Sequence, residues 1–251
     1  MSGTYNTEAL VLKRTNLGEA DRLITFLSKY KGKFTAVAKG VRKITSRRAP
    51  NLELFNHIRG QFVMGKDLDI VAEVESIQTF RNVKENLQKI ASGYHLAEMT
   101  NGFLADGQGS SVFDLLKETL ERLDQKESGE AKKVLRAYEI KFLDTLGFRP
   151  QLQVCASCNS KISEGKNFFS PDIGGVLHPS CTRNLLFAKP VSQSSLKILR
   201  FFQTESWGQI QKLVFPPGLH QELERVMRDY VEYLLEKELK SAQFMALTVR
   251  I

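Results

Sequence analysis

Three cysteines and one histidine in this sequence have the spacing of a metal site. Two residues separate Cys155 from Cys158, and two residues separate His178 from Cys181, with 19 residues between the two pairs. A two-residue gap lets one tight turn present two ligands to the same ion. Four such ligands fill the tetrahedral shell of Zn²⁺ and leave no position for a catalytic water. The spacing therefore predicts one structural zinc ion, bound by these four residues.

The alternative to a zinc site is three buried thiols beside a surface histidine. All three cysteines of the chain belong to the pattern, so none remains for a disulfide framework. A zinc deaminase would need a glutamate two residues after its histidine, and Ser180 occupies that position. The spacing favours the structural metal site over both alternatives.

A basic segment accounts for almost all of the net charge of the chain, which is +8. Nine Lys or Arg and no Asp or Glu lie between Arg22 and Leu52, whereas the other residues contain 27 basic and 28 acidic side chains. Such uncompensated charge favours a polyanionic partner, either nucleic acid or an anionic membrane surface, over a loop that serves only solubility. Tyr30 is the nearest aromatic side chain for stacking on a base. The residues that we predict to contact DNA phosphates are Lys33, Lys39, Arg42, Lys43, Arg47 and Arg48.

The sequence motifs favour a protein without enzymatic activity. The chain contains no GxxxxGK[ST], GxSxG or HExxH motif, and no GxGxxG after a predicted strand. Asp67 and Asp69 have the spacing of a paired-carboxylate nuclease site, but the stretch GKDLD is more typical of a hairpin turn. A metal-dependent nuclease and a membrane-surface protein remain as alternative hypotheses. Because no apolar run is long enough for a membrane span and no secretory signal is readable, we expect the protein in the cytoplasm.

The elements that position the basic residues are short strands. Five segments rich in Val, Ile, Leu, Phe and Thr are separated by turns, at residues 8–14, 22–27, 33–39, 54–64 and 68–75. No helical pattern between them is long enough for a crossover, which favours a small antiparallel barrel, OB-type first and SH3-like second. In the third strand, alternation places Phe34 inward and both Lys33 and Lys39 outward. We expect a flexible basic loop to follow it.

Beyond residue 80, apolar residues recur at helical spacing. Asn82 is predicted to cap a first helix, Ser110 or Ser111 a second, and a third ends at Gly147. Residues 151–183 interrupt this pattern, and helices then continue to the end of the chain. We predict an α+β multidomain protein, in which an N-terminal OB-type antiparallel β-barrel (1–80) precedes an all-helical domain (81–251) with a zinc-ribbon-like insertion (151–183).

Together these features resemble the RecO family of bacterial recombination mediators and DNA repair proteins. The similarity lies in EALVLKRTNLGEADRLITFLSKYKGKFTAVAKGVRK near the amino terminus, and in RAYEIKFLDTLGFRP, CASC and FSPDIGGVLHPSC further on. The resemblance implies an amino-terminal OB domain, a helical carboxy-terminal domain and, in many members, a four-cysteine zinc site. Here His178 stands where a cysteine is usual.

The resemblance also implies a function. Members of this family bind single- and double-stranded DNA, anneal complementary strands, work with RecR and help to load RecA onto strands coated by single-stranded DNA-binding protein (SSB). They also bind the acidic, hydrophobic-ended tail of SSB on the helical domain. On the helix AKKVLRAYEIKFLDTL, Arg136 and Lys132 are placed where such a tail docks, and the equal alternative is that both are solvated charges. A non-enzymatic, nucleoid-associated protein is expected.

Overall fold

The computed structural model describes residues 3–125, 130–183, 185–216 and 218–248. By internal packing the chain divides into two units: unit 1 comprises Met1–Ala131 with Leu239–Ile251, and unit 2 comprises Lys132–Glu238. The predicted fold class, a β-barrel followed by a helical region with a metal-binding insertion, is confirmed. The domain limits at 1–80, 81–251 and 151–183 stay predictions.

The barrel in unit 1 is closed and has the strand order β1-β2-β3-β5-β4. Neighbouring strands are antiparallel except β3 and β5, which pair in parallel. Since β1 is antiparallel to both β2 and β4, and each continues into an antiparallel neighbour, β3 and β5 must run in the same direction. The expectation of a wholly antiparallel barrel is therefore wrong at this one pair. The strands are β1 (Thr4–Leu17), β2 (Asp21–Ser28), β3 (Gly32–Ala38), β4 (His57–Val63) and β5 (Asp69–Gln78).

Aromatic side chains fill the barrel. The rings of Phe26, Phe34 and Phe62 are buried, with centroids 5.0 to 5.4 Å apart, and Tyr5 stacks on Phe62 at 5.4 Å. Full burial of one such side chain contributes about 1.5–3 kcal/mol. The alternation predicted for β3 is confirmed, because Phe34 faces this core while Lys39 is exposed.

The helices of unit 1 are α1 (Arg81–Glu85), α2 (Leu87–Phe103), α3 (Phe113–Gln125) and α8 (Lys240–Thr248). The side chain of Asn86 accepts hydrogen bonds from the backbone N–H groups of Gln88 and Lys89, and so caps α2. The predicted cap at Asn82 is wrong. Asn82 lies inside α1, and its side chain donates to the carbonyl of Asp124 at 3.2 Å. The backbone at Asn86 is extended and interrupts a pattern that the sequence presents as continuous.

Unit 2 combines helices with a three-stranded sheet of order β7-β6-β8. Gly147 follows α4 with a φ of +84°, as predicted for a left-handed helix end. Strand β8 lies beyond residue 183, so the sheet extends past the predicted insertion. The elements are α4 (Ala131–Thr145), β6 (Asn167–Ser170), β7 (Gly175–Leu177), β8 (Lys189–Val191), α5 (Gln193–Thr204), α6 (Trp207–Lys212) and α7 (Leu219–Leu235).

Three side chains hold the connection between α4 and the insertion. Arg200 donates to the carbonyl of Leu152 at 2.7 Å, Gln203 to that of Pro150 at 2.8 Å, and Tyr230 to that of Phe148 at 3.0 Å. These carbonyls belong to every second residue of the chain, so side chains of α5 and α7 bind one edge of an extended segment. The start of the insertion is thereby positioned on the helices.

None of the described helices combines the length and the hydrophobicity that a membrane span requires.

Replacing Asn86 tests the helix cap. Asn86→Ala removes the acceptor for two backbone N–H groups of α2, and should lower the free energy of unfolding by about 1 kcal/mol. Asn86→Asp keeps an acceptor at the same position and should retain most of the stability. Urea unfolding of both variants measures the difference, and equal stability of Asn86→Ala and the parent chain would contradict the assignment.

Candidate metal centre and nucleic-acid interface

The four predicted metal ligands come together in unit 2. The ligand atoms of Cys155, Cys158, His178 and Cys181 all lie within 4.8 Å of one another. The Cys158 Sγ and His178 Nδ1 atoms are 3.5 Å apart, close to the S–N edge of about 3.6 Å expected for a tetrahedron around Zn²⁺. Within the described ranges, this is the one group of three or more His, Cys, Asp or Glu with such geometry. The residues fit a single metal ion.

Each pair of ligands is placed by a tight turn. In the first, the Asn159 N–H donates to the Cys155 carbonyl at 2.9 Å, and Asn159 has a left-handed φ of +58°. In the second, the Cys181 N–H donates to the His178 carbonyl at 3.0 Å through a short 3₁₀ turn. The two-residue gaps of the sequence therefore fold as the knuckles that the spacing predicts.

A short hairpin connects the two knuckles. Strands β6 and β7 pair antiparallel, and Gly174 forms the turn with a φ of +70°. A Cβ atom on Gly175 would lie 2.7 Å from the carbonyl oxygen of Gln151, so this position requires glycine. The Ala156 N–H, in the first knuckle, donates to the Val176 carbonyl at 2.9 Å. The hairpin predicted at Gly174 and Gly175 is confirmed, and it contacts the first knuckle directly.

Hydrogen bonds prepare two of the ligands for a metal. The Nε2 atom of His178 lies 3.0 Å from the Lys161 carbonyl, which can only accept, so Nε2 carries the proton and the lone pair of Nδ1 faces the sulfurs. The backbone N–H of Ser160 makes the largest contribution in lowering the pKa of Cys158, to about 7. Metal ions bind the thiolate rather than the thiol, so the lowered pKa of Cys158 favours metal binding at this residue, whereas burial raises the pKa of Cys181.

The basic segment does not form one continuous surface, because β3 runs through it. Six residue steps of about 3.3 Å separate the ends of this seven-residue strand by about 20 Å. At the end where β2 turns into β3, each lysine has an acidic partner in unit 1. These pairs are Lys29 with Asp114 at 3.2 Å, Lys31 with Asp69 at 2.5 Å, and Lys33 with Asp106 at 3.8 Å.

The other end of β3 carries cations without acidic partners. There the structure brings together Lys39, Arg42, Lys43 and Arg47, which are exposed, and Arg48, which is half-buried. In the part of the chain that the structure describes, no carboxylate oxygen lies within 4.0 Å of any of the five. Lys33 is separate from this group, and its ammonium also donates to the Asn101 carbonyl at 3.1 Å. That all six contact DNA stays a prediction.

Residues 39–50, named here the basic loop, form a series of hydrogen-bonded turns. The Lys43 N–H donates to the Gly40 carbonyl at 3.2 Å, and the Ser46 N–H to the Lys43 carbonyl at 2.9 Å. Asp21 accepts from the Gly40 N–H at 2.6 Å. Val41 is buried in the barrel core. The loop expected to be flexible is thus built of turns and attached to the barrel.

Arg48 attaches the far side of the basic loop. Its guanidinium donates to the carbonyl oxygens of Lys39 at 2.6 Å, Val71 at 2.7 Å and Ala72 at 3.3 Å. Arg42 makes a similar bond, to the Gly18 carbonyl at 2.8 Å. These arginines position the loop without forming an ion pair with any carboxylate of the described ranges.

Sequence reasoning did not single out Arg22 among the candidates. It pairs with Ala38 in the register of β2 and β3, which places it at the same end of the barrel as the basic loop. Its Nε donates to the Asn16 side chain at 3.3 Å. Once the hairpin between β2 and β3 is assigned, the strand register predicts that Arg22 lies beside the start of the basic loop.

Asp69 holds the opposite end of the barrel together. Its carboxylate accepts hydrogen bonds from Tyr5 and Lys31, each at 2.5 Å. Although burial acts to raise it, these hydrogen bonds keep the pKa of Asp69 below its usual value. Asp67 is exposed, and no metal-binding group of described residues includes either aspartate. Of the two carboxylates considered for a nuclease, Asp69 thus binds both the turn at Gly65 and the barrel side chains.

Comparison with known proteins decides the family. Residues 1–80 match the family described as Recombination protein O N terminal, and residues 84–243 match Recombination protein O C terminal. The chain belongs to the Recombination protein O family.

Curated relatives in this family match most of the length of the chain. It is 35% identical over 243 residues to the "DNA repair protein RecO" of Roseiflexus sp. (strain RS-1), covering 96% of the chain and 84% of that protein. Proteins of the same name from Dehalococcoides mccartyi (strain ATCC BAA-2100 / JCM 16839 / KCTC 5957 / BAV1) and Symbiobacterium thermophilum are 34% and 31% identical. These matches cover 94% and 96% of the chain, and 93% and 96% of the relatives.

The two candidates for docking the SSB tail differ in exposure. Lys132 is half-buried on α4. Arg136 is only 3% exposed and lies 3.1 Å from the fully buried carboxylate of Glu139. The alternative that both are solvated charges is therefore wrong for Arg136, because the fold places it in a buried ion pair. Docking of the SSB tail at Lys132 and Arg136 of this chain stays a prediction.

Removing one cysteine tests the metal centre. Cys155→Ser takes away the buried ligand and should reduce bound metal from about one ion per chain to nearly none, with lower thermal stability, because metal binding and folding are coupled. Elemental analysis of the purified protein measures the metal. Ser157→Ala, an exposed position between two ligands, is the matched control and should keep its metal. Full metal content in Cys155→Ser would refute the site.

Proposed function

We propose that this chain is a non-enzymatic mediator of DNA repair and homologous recombination, which binds single- and double-stranded DNA through the basic loop. The observation that carries the proposal is the group of five cations at one end of the barrel that no described carboxylate neutralises. Membership of the Recombination protein O family supports it. Phosphate groups are the partners that relieve such uncompensated charge.

Annealing follows from neutralising two strands at once. Two single strands repel each other through their phosphates, and cations held between them lower that repulsion so that bases can pair. The turns of the basic loop keep its backbone defined, so little order has to be gained on binding. Phosphate contacts do not distinguish sequences, which suits a protein that must act on any break. In this mechanism no covalent bond is made or broken.

Zn²⁺ is the metal that we assign to the three cysteines and the histidine. Three thiolates and an imidazole are ligands typical of structural zinc, and four protein ligands close its shell. When bound, the ion supplies a cross-link rather than chemistry. Cys155, Cys158, His178 and Cys181 hold it between the two knuckles, so its role is to stabilise the insertion.

The partner proteins belong to the same proposal. The chain works with RecR, and with it helps to load RecA onto single strands coated by SSB, in the cytoplasm at the nucleoid. The acidic tail of SSB docks on α4 beside Lys132, which is the more exposed residue of the pair. Arg136 contributes only if its ion pair with Glu139 opens.

An annealing assay with labelled complementary strands, Mg²⁺ and Mn²⁺ tests the mediator against the nuclease alternative. We expect faster duplex formation and strands of unchanged length, because the proposed mechanism lowers the repulsion between phosphates and breaks no covalent bond. Metal-dependent fragments would instead establish the nuclease. Binding to anionic vesicles that DNA does not compete away would establish the membrane-surface alternative.

Replacing Arg42, Lys43 and Arg47 together with Gln tests whether the basic loop binds DNA phosphates. We expect weaker binding to single strands of every sequence, and a log-log salt slope reduced by about 2, since each lost phosphate contact removes about 0.7. Arg48 stays in place because its guanidinium holds three backbone carbonyls on both sides of the loop, whereas Arg42 holds one. Fluorescence anisotropy at several salt concentrations measures the slope.

A variant with the same change in charge provides the control. Lys166, Lys212 and Lys237 are exposed on unit 2, and their joint replacement by Gln should leave the salt slope close to that of the parent chain. If both triple variants flattened the slope equally, net charge rather than the basic loop would determine binding.

A further inference from the structure

Ile44 is the most exposed large hydrophobic side chain among the described residues. Its relative exposure is 105%, compared with 91% for Leu186 and 80% for Tyr30. Single exposed hydrophobic residues are common on protein surfaces and need no explanation by themselves. The surroundings of Ile44 are unusual, because Arg42, Lys43, Arg47 and Arg48 lie within four residues of it, and none of them has an acidic partner among the residues that the structure describes.

The backbone presents Ile44 at the tip of a turn. The Ser46 N–H donates to the Lys43 carbonyl at 2.9 Å, so Ile44 is the second residue of a hydrogen-bonded turn. Before it, Val41 is buried in the barrel core. After it, Arg48 is bound to carbonyls of β5. Both flanks are attached to the barrel, and the tip points its side chain into solvent.

An aliphatic group flanked by cations that no described carboxylate neutralises matches a partner that has apolar surface between anionic groups. A stack of nucleic-acid bases flanked by phosphates has this arrangement. Proteins that bend DNA insert isolated Ile, Leu or Met side chains between base steps while nearby Arg and Lys contact the backbone. A lipid surface also combines anionic and apolar groups, but membrane binding depends on a broad apolar face. A single side chain offers little of that.

We infer that Ile44 is a wedge that inserts between stacked bases while Arg42, Lys43 and Arg47 hold the adjacent phosphates. This inference rests on the proposed function, since it requires that the basic loop contacts DNA. An isoleucine can neither stack as an aromatic ring does nor hydrogen-bond to a base edge. Its insertion is therefore easiest at steps that unstack readily, such as pyrimidine–purine steps and mismatches. Opening the stack in this way would help a protein that exchanges pairing partners.

Fluorescence of 2-aminopurine tests the wedge, because this base brightens when it is unstacked. The probe is placed at a central pyrimidine–purine step of a short duplex, and each protein is added until the duplex is saturated. We expect the parent chain and Ile44→Leu to raise the fluorescence, and Ile44→Ala to lose most of the increase. The Kd of Ile44→Ala should change by about threefold at most, because the phosphate contacts remain.

Leu186→Ala provides the matched control, since it shortens an almost equally exposed aliphatic side chain in unit 2. It should give the full increase. Ile44 makes little contact with the rest of the protein, so Ile44→Ala should also keep the melting temperature of the parent chain. An equal increase with Ile44→Ala and the parent chain at saturation, or no increase with either, overturns the wedge.

The triple variant of Arg42, Lys43 and Arg47 separates failure of the wedge from failure of the proposed function. If that variant loses DNA binding while Ile44→Ala keeps the full fluorescence, DNA binding by the basic loop is supported and the wedge is refuted. If the triple variant binds DNA as the parent chain does, both are refuted. If Ile44→Ala loses binding to phosphatidylglycerol vesicles and keeps the fluorescence, the side chain is a lipid anchor, and the wedge is again refuted.

Discussion

The position of the basic loop depends on the guanidinium of Arg48. It donates to the carbonyl of Lys39 at the start of the loop, and to those of Val71 and Ala72 on β5. Carbonyl oxygens satisfy the donors of an arginine without neutralising its charge, whereas a carboxylate would do both. The loop is therefore held in a defined conformation while its positive charge stays available. This combination is what the proposed contact with phosphates requires.

The two ends of the barrel use basic residues in different ways. At the end that contains Lys31, the ammonium binds Asp69 and lies 4.2 Å from the centroid of the Tyr5 ring, so it contributes to closing the barrel. At the end that contains the basic loop, the cations contact backbone or solvent. Because ion pairs among the described residues bind the lysines at one end and none binds the cations of the basic loop at the other, polyanions are favoured at the basic loop.

The insertion in unit 2 combines protein contacts with the metal site. Its entry is fixed by hydrogen bonds from Arg200, Gln203 and Tyr230 to alternate carbonyls. Its hairpin is fixed by strand pairing with β8 as well as within β6 and β7. These bonds do not link the two knuckles to each other. A metal ion bound by the four ligand atoms, which lie within 4.8 Å of one another, would form that link.

Sequence by itself determined the four residues that could hold a metal ion, the five strands and most helices, because each depends on spacing within a short stretch of chain. Cys155 and Cys158 need only one turn to meet, and the inward face of β3 follows from alternation. The cap at Asn86 was missed because the apolar residues keep helical spacing on both sides of it. The extended backbone of this one residue therefore leaves no sign in the sequence pattern. Only the tertiary structure decided which cations are neutralised. Lys29 and Lys31 find acids 85 and 38 residues away, while the cations of the basic loop find none among the described residues. Only the tertiary structure also decided that Arg136 is buried. Ion pairing and burial both depend on distances through space, and spacing within a short stretch of sequence does not give those distances.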